Sequence, residues 1–444
     1  MQLYEYQKPI FDFVKDKDRI ALFLEMRVGK TVICAKWLKH RKYEKNLIIA
    51  PLQILSVWQN VLKSEGMPVC WLAKTPSAKR LTGKFELVNG TYLINYEYLS
   101  TESGKAFPFW LFDCTVLDES TCIKNPTAKI TKNILKRCKT KGRAILSGFP
   151  TPEAKLDLVT QYLFLKGHVG GCNDFWTFRS RYCRLVNQFG KWQLLPEGSS
   201  VLDLITKSKA YCLTRKEAGI DGTKEYLQIY VDATDEQNNY TKQLKNEWQI
   251  KDYQASNDLT IYVWLSKLSS GFLPNNERIE CKKYNTLLDL LVNRFVSEKV
   301  VVYCTLDCEI ERISEHLENA GIKYSLITGA FEPESNATTA LDFSTSKDIN
   351  VLLCQVECIK MGIDLSVSNV FVYFSNSWSG EVRLQSEDRG IHPTKNDTTY
   401  IIDLLTDNSI DVLKYEALQA KKFNNVHFNL ELKEKVYRFL NDRD

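Results

Sequence analysis

The sequence predicts an α/β protein with two parallel-sheet lobes in tandem and a mostly helical insertion and connection between them. Apolar segments of strand length alternate with helical segments in the first part of the chain, the alternation stops near residue 166, and a second series starts near residue 299. Such alternation is typical of parallel sheets with crossover helices. The 444 residues suggest two or three domains, and we place the boundaries at 1–165, 166–290 and 291–444.

The composition is that of an ordinary globular protein. Hydrophobic residues make up 44% of the chain and charged residues 25%. We find neither an apolar run of bilayer-spanning length nor a basic-then-apolar signal pattern, and therefore expect a cytoplasmic protein with no membrane partner. The thirteen cysteines form no C-x-x-C pair, so we expect reduced thiols. The net charge of +5 is compatible with local basic clefts, and we expect a monomer.

The first candidate site is the stretch Arg19–Thr31, which predicts a buried strand, a tight loop and a helix start. Gly29 allows the loop to turn sharply, with its N–H groups facing an anion at the helix N-terminus. Lys30 can reach the β and γ phosphates of ATP, and the Thr31 hydroxyl can bind Mg²⁺. The stretch departs from the strict G-x-x-x-x-G-K-[ST] pattern, because Leu24 occupies the place of the first glycine.

Other segments add polar side chains that suit the same chemistry. An apolar strand leads directly into Asp118 and Glu119. Asp118 can hold Mg²⁺ through water, and Glu119 can orient or deprotonate the attacking water. A second strand ends in the turn Ser147-Gly148, whose hydroxyl is placed to report the state of the γ-phosphate. Near the start of the chain, the amide of Gln7 suits the edge of an adenine ring.

In this order, the segments resemble the motifs of helicase superfamily two, and in particular those of the Swi/Snf-type DNA-dependent ATPases. The resemblance is carried by Gln7, Met26–Thr31, Leu117–Ser120, Ile123–Pro126 and Leu146–Gly148. The Ile-Lys-Asn-Pro tail of the second motif is specific to the Swi/Snf branch. The resemblance covers most of the chain and implies two RecA-like lobes that grip ATP between them and duplex DNA across the top. The size of the chain resembles the compact versions carried by bacteriophages.

The resemblance also implies roles for individual residues. The implied catalytic residues are Glu119, Arg389 and Lys30, and the implied Mg²⁺ site uses Thr31 and Asp118. The implied ATP contacts are Gln7, Arg27, Val28, Gly29, Lys30, Thr31, Gly362, Asp364, Gln385 and Arg389. The implied DNA contacts are Pro51, Leu52, Tyr96, Lys124, Arg179, Arg181, Thr328 and Gly329.

The sixth motif of the family, Q-x-x-x-R-x-x-R, is matched with one departure. Arg389 matches the first arginine, whose guanidinium can stabilise charge on the transferring phosphoryl group, but His392 holds the place of the second. A histidine is only partly charged near neutral pH and has no bidentate fork. Several interpretations stay open: Arg389 suffices, Lys395 or Arg383 helps, hydrolysis is slow, or His392 is a loop residue without a role.

The middle region interleaves aromatic and cationic residues in Phe175–Arg184 and again at Lys191 and Trp192. Two interpretations are equally favoured: contact with DNA phosphates, or an aromatic helix that packs on the first lobe with its charged face in solvent. Both hold if they apply to opposite faces of the helix.

The sequence predicts an ATP-driven motor that moves along or remodels duplex or branched DNA by gripping its backbone. One alternative is an RNA-stimulated helicase of the same superfamily, and the Ile-Lys-Asn-Pro tail favours DNA. The other is a nucleotide-controlled DNA-binding protein with weak ATPase activity. Leu24, His392 and Phe149, where the family usually has threonine, keep that alternative open. The intact ATP-site residues argue against it.

Overall fold

A computed structural model of the chain describes residues 2–72, 88–151, 154–185, 192–220, 223–361, 363–391 and 397–423. The chain packs into two units, Met1–Asp221 and Gly222–Asp444. Each unit is built around one parallel sheet with helices, which confirms the predicted α/β class with two tandem parallel-sheet lobes. In the ranges that the structure describes, no helix is long and apolar enough to cross a bilayer.

The first unit contains nine strands and eight helices among its described residues. The strands are β1 Arg19–Leu24, β2 Lys45–Ala50, β3 Val69–Trp71, β4 Gly90–Asn95, β5 Cys114–Asp118, β6 Gly142–Ser147, β7 Cys183–Leu185, β8 Trp192–Leu194 and β9 Ala210–Leu213. The helices are α1 Lys8–Val14, α2 Lys30–Arg41, α3 Leu55–Ser64, α4 Glu102–Lys105, α5 Lys129–Arg137, α6 Leu158–Lys166, α7 Phe175–Tyr182 and α8 Pro196–Lys209.

Seven of these strands form one sheet in the order β3-β4-β2-β5-β6-β1-β9, and every neighbouring pair is parallel. The central strands are apolar along nearly their whole length because helices cover both faces of the sheet. In β1, for example, residues 20–24 are all buried. The remaining two strands, β7 and β8, form an antiparallel ribbon.

The second unit contains eight strands and seven helices in its described part. The strands are β10 Lys224–Val231, β11 Gln249–Ile250, β12 Tyr253–Gln254, β13 Val300–Cys304, β14 Tyr324–Ile327, β15 Val351–Gln355, β16 Val370–Tyr373 and β17 Thr399–Thr406. The helices are α9 Asp235–Glu247, α10 Asp258–Ser269, α11 Lys283–Asp289, α12 Asp307–Asn319, α13 Pro333–Thr345, α14 Gly380–Glu387 and α15 Ile410–Phe423. Six strands form a parallel sheet in the order β10-β17-β16-β13-β15-β14.

Six strands of the middle region, β7 to β12, were not predicted from the sequence, and two of them join the main sheets. β9 pairs with β1 at one edge of the first sheet, and β10 pairs with β17 at one edge of the second. Residues of the predicted region 166–290 are therefore shared between the two units. The predicted boundaries at residues 165 and 290 remain predictions.

A buried ion pair joins two helices of the second unit. The Nζ atom of Lys283, at the start of α11, lies 3.0 Å from a carboxylate oxygen of Asp411 in α15, and both side chains are buried. Burial is the largest single effect on Lys283 and lowers its pKa, but Asp411, Cys281 and Glu309 together outweigh it, so the pKa of Lys283 is raised. Asp411 also accepts hydrogen bonds from the Ser269 hydroxyl and the Thr406 N–H group.

Replacing Lys283 with methionine should destabilise the second unit strongly, because the Asp411 carboxylate would stay buried without its cation. We expect the free energy of unfolding of this unit to fall by about 3–5 kcal/mol. Urea unfolding, followed by hydrogen exchange of the β13 amides, measures this change. The control is Lys251→Met, which breaks an exposed pair with Glu277, and should cost less than about 1 kcal/mol. Equal losses in the two variants would contradict the prediction.

Candidate functional site

The loop between β1 and α2 has the geometry of an anion-binding turn. Gly29 has a left-handed φ of 92° at the N-cap of α2. A Cβ atom at this position would lie 2.2 Å from Nε2 of Gln7, so both the backbone angle and the close approach require glycine. Gln7 is buried, and its Nε2 donates to the Val28 carbonyl (2.9 Å) while its Oε1 accepts from the Tyr4 N–H (3.1 Å). In this structure the Gln7 amide therefore holds the loop itself; the adenine contact stays a prediction.

Lys30 begins α2 and folds back over the loop. Its Nζ donates to the Leu24 carbonyl (2.9 Å) and lies beside Gly148, since a Cβ at that glycine would be 3.4 Å from Nζ. Its positive charge also acts on Asp118. Thr31 follows in the first turn of α2, and Arg27 has a left-handed φ of 69° within the loop. The structure thus brings the loop lysine, the acidic turn and the Ser-Gly turn together.

The acidic turn follows β5, where Asp118 is the last strand residue and is buried. Its Oδ2 accepts from the indole N–H of Trp58 (2.7 Å), and its Oδ1 accepts from the Glu119 N–H (3.0 Å). Burial raises the pKa of Asp118, and the Trp58 hydrogen bond and the Lys30 charge oppose that rise. Glu119 has a left-handed φ of 49°, a strained conformation for a residue with a side chain, so its neighbours must hold it.

Sequence reasoning did not single out Trp58, whose indole N–H donates to Asp118. The indole is fully buried on α3, so its N–H needs a partner inside the protein. A tryptophan on the apolar face of a helix therefore indicates that some acceptor lies nearby. The sequence does not show which one, because Asp118 lies sixty positions further along the chain. Only the parallel pairing of β2 with β5 places helix α3 beside the acidic turn.

Tyr96 is a correction to the DNA contacts implied by the resemblance. Its side chain is only 3% exposed, and its hydroxyl donates to the backbone carbonyl of Asp118 (2.9 Å). Burial raises the pKa of Tyr96 well above its usual value, so the hydroxyl stays protonated and remains a donor. A buried side chain cannot touch the DNA backbone, so Tyr96 supports the acidic turn instead.

The Ser147-Gly148 turn is joined to the acidic turn by a side chain from α6. Ser147 is buried, and its hydroxyl accepts from the Phe149 N–H (3.1 Å) within the turn. Gln161 of α6 accepts from the Ser120 hydroxyl (2.6 Å) and donates to the Pro150 carbonyl (2.8 Å). Sequence reasoning did not single out Gln161, because nothing in an apolar helix indicates which turns its one buried amide reaches.

The other predicted DNA contacts of the first unit lie at the carboxyl edge of the sheet or on α7. Pro51 and Leu52 follow the end of β2, and Lys124 follows the short turn after the acidic residues. Arg179 stacks between the indoles of Trp176 (4.5 Å) and Trp192 (4.3 Å).

Both interpretations of the aromatic segment are compatible with α7. Phe175 and Phe178 are buried in the core of the first unit, whereas Trp176 and Arg181 are exposed. The helix therefore has one face that packs and one cationic face in solvent. Contact of that exposed face with DNA remains a prediction.

The first-unit site suits Mg²⁺ held mainly by its nucleotide. Among the described residues, no three His, Cys, Asp or Glu side chains converge on one point. Mg²⁺ keeps several waters and usually takes one or two protein carboxylates together with substrate phosphates. The Asp118 carboxylate accepts two hydrogen bonds and retains acceptor capacity. Asp118 and the Thr31 hydroxyl are thus the protein oxygens that fit such an ion.

The predicted second-unit residues occupy loops and helix ends around its sheet. Thr328 and Gly329 follow β14, and the Gly329 N–H donates to Oε1 of Gln355 (2.9 Å). Asp364 is exposed, and its Oδ1 accepts from the Ser366 N–H (3.1 Å). Gly362, His392 and Lys395 lie outside the described residues.

The segment that carries Arg389 is mostly buried. Gln385 lies on α14, where its amide donates to Glu381 (3.2 Å). Arg389 follows in the short turn Asp388–Gly390; its side chain is 8% exposed, and its carbonyl accepts from the Leu365 N–H (3.3 Å). Its predicted role at the nucleotide stays a prediction.

Arg383 is not available as a substitute finger in this structure. Its guanidinium is buried and makes a two-pronged ion pair with Asp403, at 2.5 and 2.8 Å, together with a third contact to Glu387 at 2.8 Å. A guanidinium committed to two buried carboxylates is held by several charge-assisted hydrogen bonds. Arg383, one of the two cations that the sequence suggested as helpers of Arg389, thus anchors α14 to β17.

Comparisons with known proteins identify the family of this chain. A family model described as the SNF2-related domain matches residues 15–258, and one described as the helicase conserved C-terminal domain matches residues 282–393. An uncharacterized ATP-dependent helicase of Mycoplasma pneumoniae is 24% identical over 405 residues, which cover 87% of this chain and 38% of the relative. The ATP-dependent DNA helicase DDM1 of Arabidopsis thaliana is 20% identical over 446 residues, which cover 89% of this chain and 57% of the relative.

Among solved structures, the SWI2/SNF2 ATPase core of Sulfolobus solfataricus in complex with dsDNA is 17% identical, with a TM-score of 0.45 and coverage of 100% of this chain and 98% of that one. The chain spans less than two thirds of the length of both relatives named above. The SNF2-related model alone matches more than half of the chain. The chain therefore belongs to the SNF2-related family of helicase-like ATPases.

Proposed function

We propose that this protein is an ATP-dependent DNA translocase, which hydrolyses ATP with Mg²⁺ and so moves along or remodels duplex or branched DNA. The observation that supports this most is the convergence of Lys30, the acidic turn and the Ser-Gly turn at one edge of the first sheet. Phosphoryl transfer needs a cation at the phosphates, a metal-binding carboxylate and a group that positions water. This edge offers one side chain for each task.

Each side chain has a distinct part in the proposed reaction. The N–H groups of the Gly29 turn and the Lys30 ammonium bind the phosphates, in place of the loop carbonyls that Lys30 now contacts. Asp118 and Thr31 would hold Mg²⁺, which supplies charge neutralisation on the phosphates when bound. Glu119 orients the attacking water or accepts its proton. Arg389 stabilises charge on the transferring phosphoryl group from the second lobe.

DNA contact through the backbone is the second half of the proposal. Arg181 is exposed on α7, and Lys124 lies on the segment that follows the acidic turn. Cations that contact phosphates fix the register of a protein on DNA without reading its bases. We therefore propose translocation that is largely independent of sequence.

One observation favours the alternative of a nucleotide-controlled DNA-binding protein with weak ATPase activity. Arg389 is only 8% exposed, so acting on a phosphoryl group requires it to leave its present surroundings. If that movement were rare, the protein would bind ATP but hydrolyse it slowly.

Phosphate release measured without nucleic acid, with duplex DNA, with branched DNA, with single strands and with RNA separates the functions. The proposal requires stimulation by DNA; stimulation by RNA alone would favour an RNA-dependent helicase, and no stimulation would favour the weak ATPase.

Lys30→Ala and Glu119→Gln should both abolish ATP turnover but differ in nucleotide binding. Loss of the Lys30 cation removes a phosphate contact worth about 2 kcal/mol or more, so ATP affinity should fall at least about thirtyfold. Glu119→Gln leaves the phosphate loop whole, so binding should persist while kcat falls about a hundredfold or more. Titration calorimetry with ATP and a phosphate-release assay measure the two effects. Lys39→Ala, on the exposed side of the same helix, is the control; weak ATP binding in Glu119→Gln would contradict the assignment.

Arg181→Gln should weaken binding to duplex DNA about equally for unrelated sequences. If Arg181 contacts one phosphate, the slope of log affinity against log salt should become shallower by about 0.9. Fluorescence anisotropy with two unrelated duplexes across a salt series measures the slope. The matched control is Arg278→Gln, an exposed arginine of the second unit that pairs with Glu315. An unchanged slope in Arg181→Gln would remove α7 from the DNA-contacting surface.

A further inference from the structure

Gln161 is a buried side chain whose amide oxygen and amide nitrogen both form hydrogen bonds with nearby turns. It lies on α6 with no exposed surface. Its Oε1 accepts from the Ser120 hydroxyl (2.6 Å), and its Nε2 donates to the carbonyls of Pro150 (2.8 Å) and Asp157 (2.9 Å). A side-chain amide has two donor hydrogens, and here both have partners. Gln161 therefore joins three segments: the acidic turn, the turn after β6 and the start of its own helix.

The same helix also holds the far end of the acidic segment. The hydroxyl of Thr160, the residue before Gln161, donates to the Lys124 carbonyl (3.3 Å). Ser120 and Lys124 are the two ends of the short turn that follows Glu119. Adjacent residues of α6 thus fix both ends of the segment that joins the proposed water-positioning residue to a proposed DNA contact.

The conformation of Glu119 makes this support necessary. Its left-handed backbone is disfavoured for a residue with a side chain and persists only when surrounding contacts over-determine it. On one side of Glu119, Trp58 and Tyr96 hold Asp118 through its carboxylate and its carbonyl. On the other side, Gln161 holds Ser120. Ser120 is fully buried, so without Gln161 its hydroxyl would have to find another partner inside the protein.

We propose that Gln161 is a positioning residue for ATP hydrolysis, which acts by fixing Ser120, and so the backbone of Glu119, to the turn that follows β6. This inference rests on the proposed role of Glu119. Gln161 does not bind the nucleotide in this scheme, because the phosphate loop and Lys30 are held by other contacts. Loss of Gln161 therefore affects the hydrolytic step and leaves nucleotide binding in place.

The test replaces Gln161 with methionine, which keeps the length of the side chain and removes its hydrogen bonds. We expect kcat to fall about tenfold in phosphate release, while the ATP affinity from calorimetry changes less than about twofold. Hydrogen exchange at the amides of residues 119–124 should also become faster, which reports the turn independently of activity. The control is Tyr162→Phe on the next residue of α6, which removes a partly buried hydrogen bond to Thr206 of α8. The control should change neither kcat nor exchange at the turn.

A double-mutant cycle with Ser120→Ala tests the route of the effect. If Gln161 acts through Ser120, the double variant should lose no more kcat than the more affected single variant. Multiplicative losses, equal losses in Tyr162→Phe, or unchanged exchange at residues 119–124 would each overturn the inference. Ser120→Ala alone, which removes the other partner of the same hydrogen bond, should also lower kcat with ATP affinity kept, and it serves if the methionine variant does not fold.

All variants are assayed with and without duplex DNA. If duplex DNA does not stimulate ATP hydrolysis by the wild-type protein, the proposed translocase is refuted. A loss of kcat in Gln161→Met would still support the positioning role in that case. Normal kcat in Gln161→Met beside DNA-stimulated hydrolysis in the wild type would refute the positioning role alone.

Discussion

The parallel pairing of β1, β5 and β6 is the constraint on which the rest of the first unit depends. Phe23 is in register with Ser147, and Asp118 is in register with Leu146, so β1 and β5 each end within one residue of the end of β6. Because all three run in the same direction, their following loops emerge at one edge of the sheet. The backbone hydrogen bonds of the sheet thus set the distances among Lys30, the acidic turn and the Ser-Gly turn before any side chain contributes.

The sequence predicted the parts of the site that are local. A buried strand followed by Gly29 and Lys30, or by Asp118 and Glu119, carries its own signal, because strand, turn and chemical group are adjacent in the chain. The parallel-sheet class followed from the same alternation of strands and helices. The prediction was weaker where partners are far apart: the hydrogen bonds of Trp58 to Asp118 and of Gln161 to Ser120 span 60 and 41 residues.

Two of the edge strands, β9 and β10, were missed for a related reason. A central strand is covered on both faces, so it forms a continuous apolar run, which the sequence displays. β10 instead has mostly exposed side chains, and Gln228 interrupts its apolar and aromatic residues, so it lacks the long apolar run of a central strand; its pairing with β17 defines it as a strand. Tyr96 shows the opposite error. The resemblance implied an exposed DNA contact for Tyr96, yet its position just after β4, at the carboxyl edge of the sheet, lets its hydroxyl reach past β2 to the backbone of Asp118, the last residue of β5.

The buried charges of the second unit give β10 a structural part that its exposed sequence did not suggest. Lys224, the first residue of β10, contacts Glu387 (3.3 Å) and Asp388 (2.9 Å), and the Tyr226 hydroxyl donates to Glu387 (2.9 Å). Glu387 is also paired with Arg383, which is held by Asp403. An edge strand therefore balances the charge of the helix end that leads into Arg389. Removal of one member of such a network leaves an uncompensated buried charge. The position of the end of α14 therefore depends on Lys224 of β10 as well as on the residues of the sixth motif.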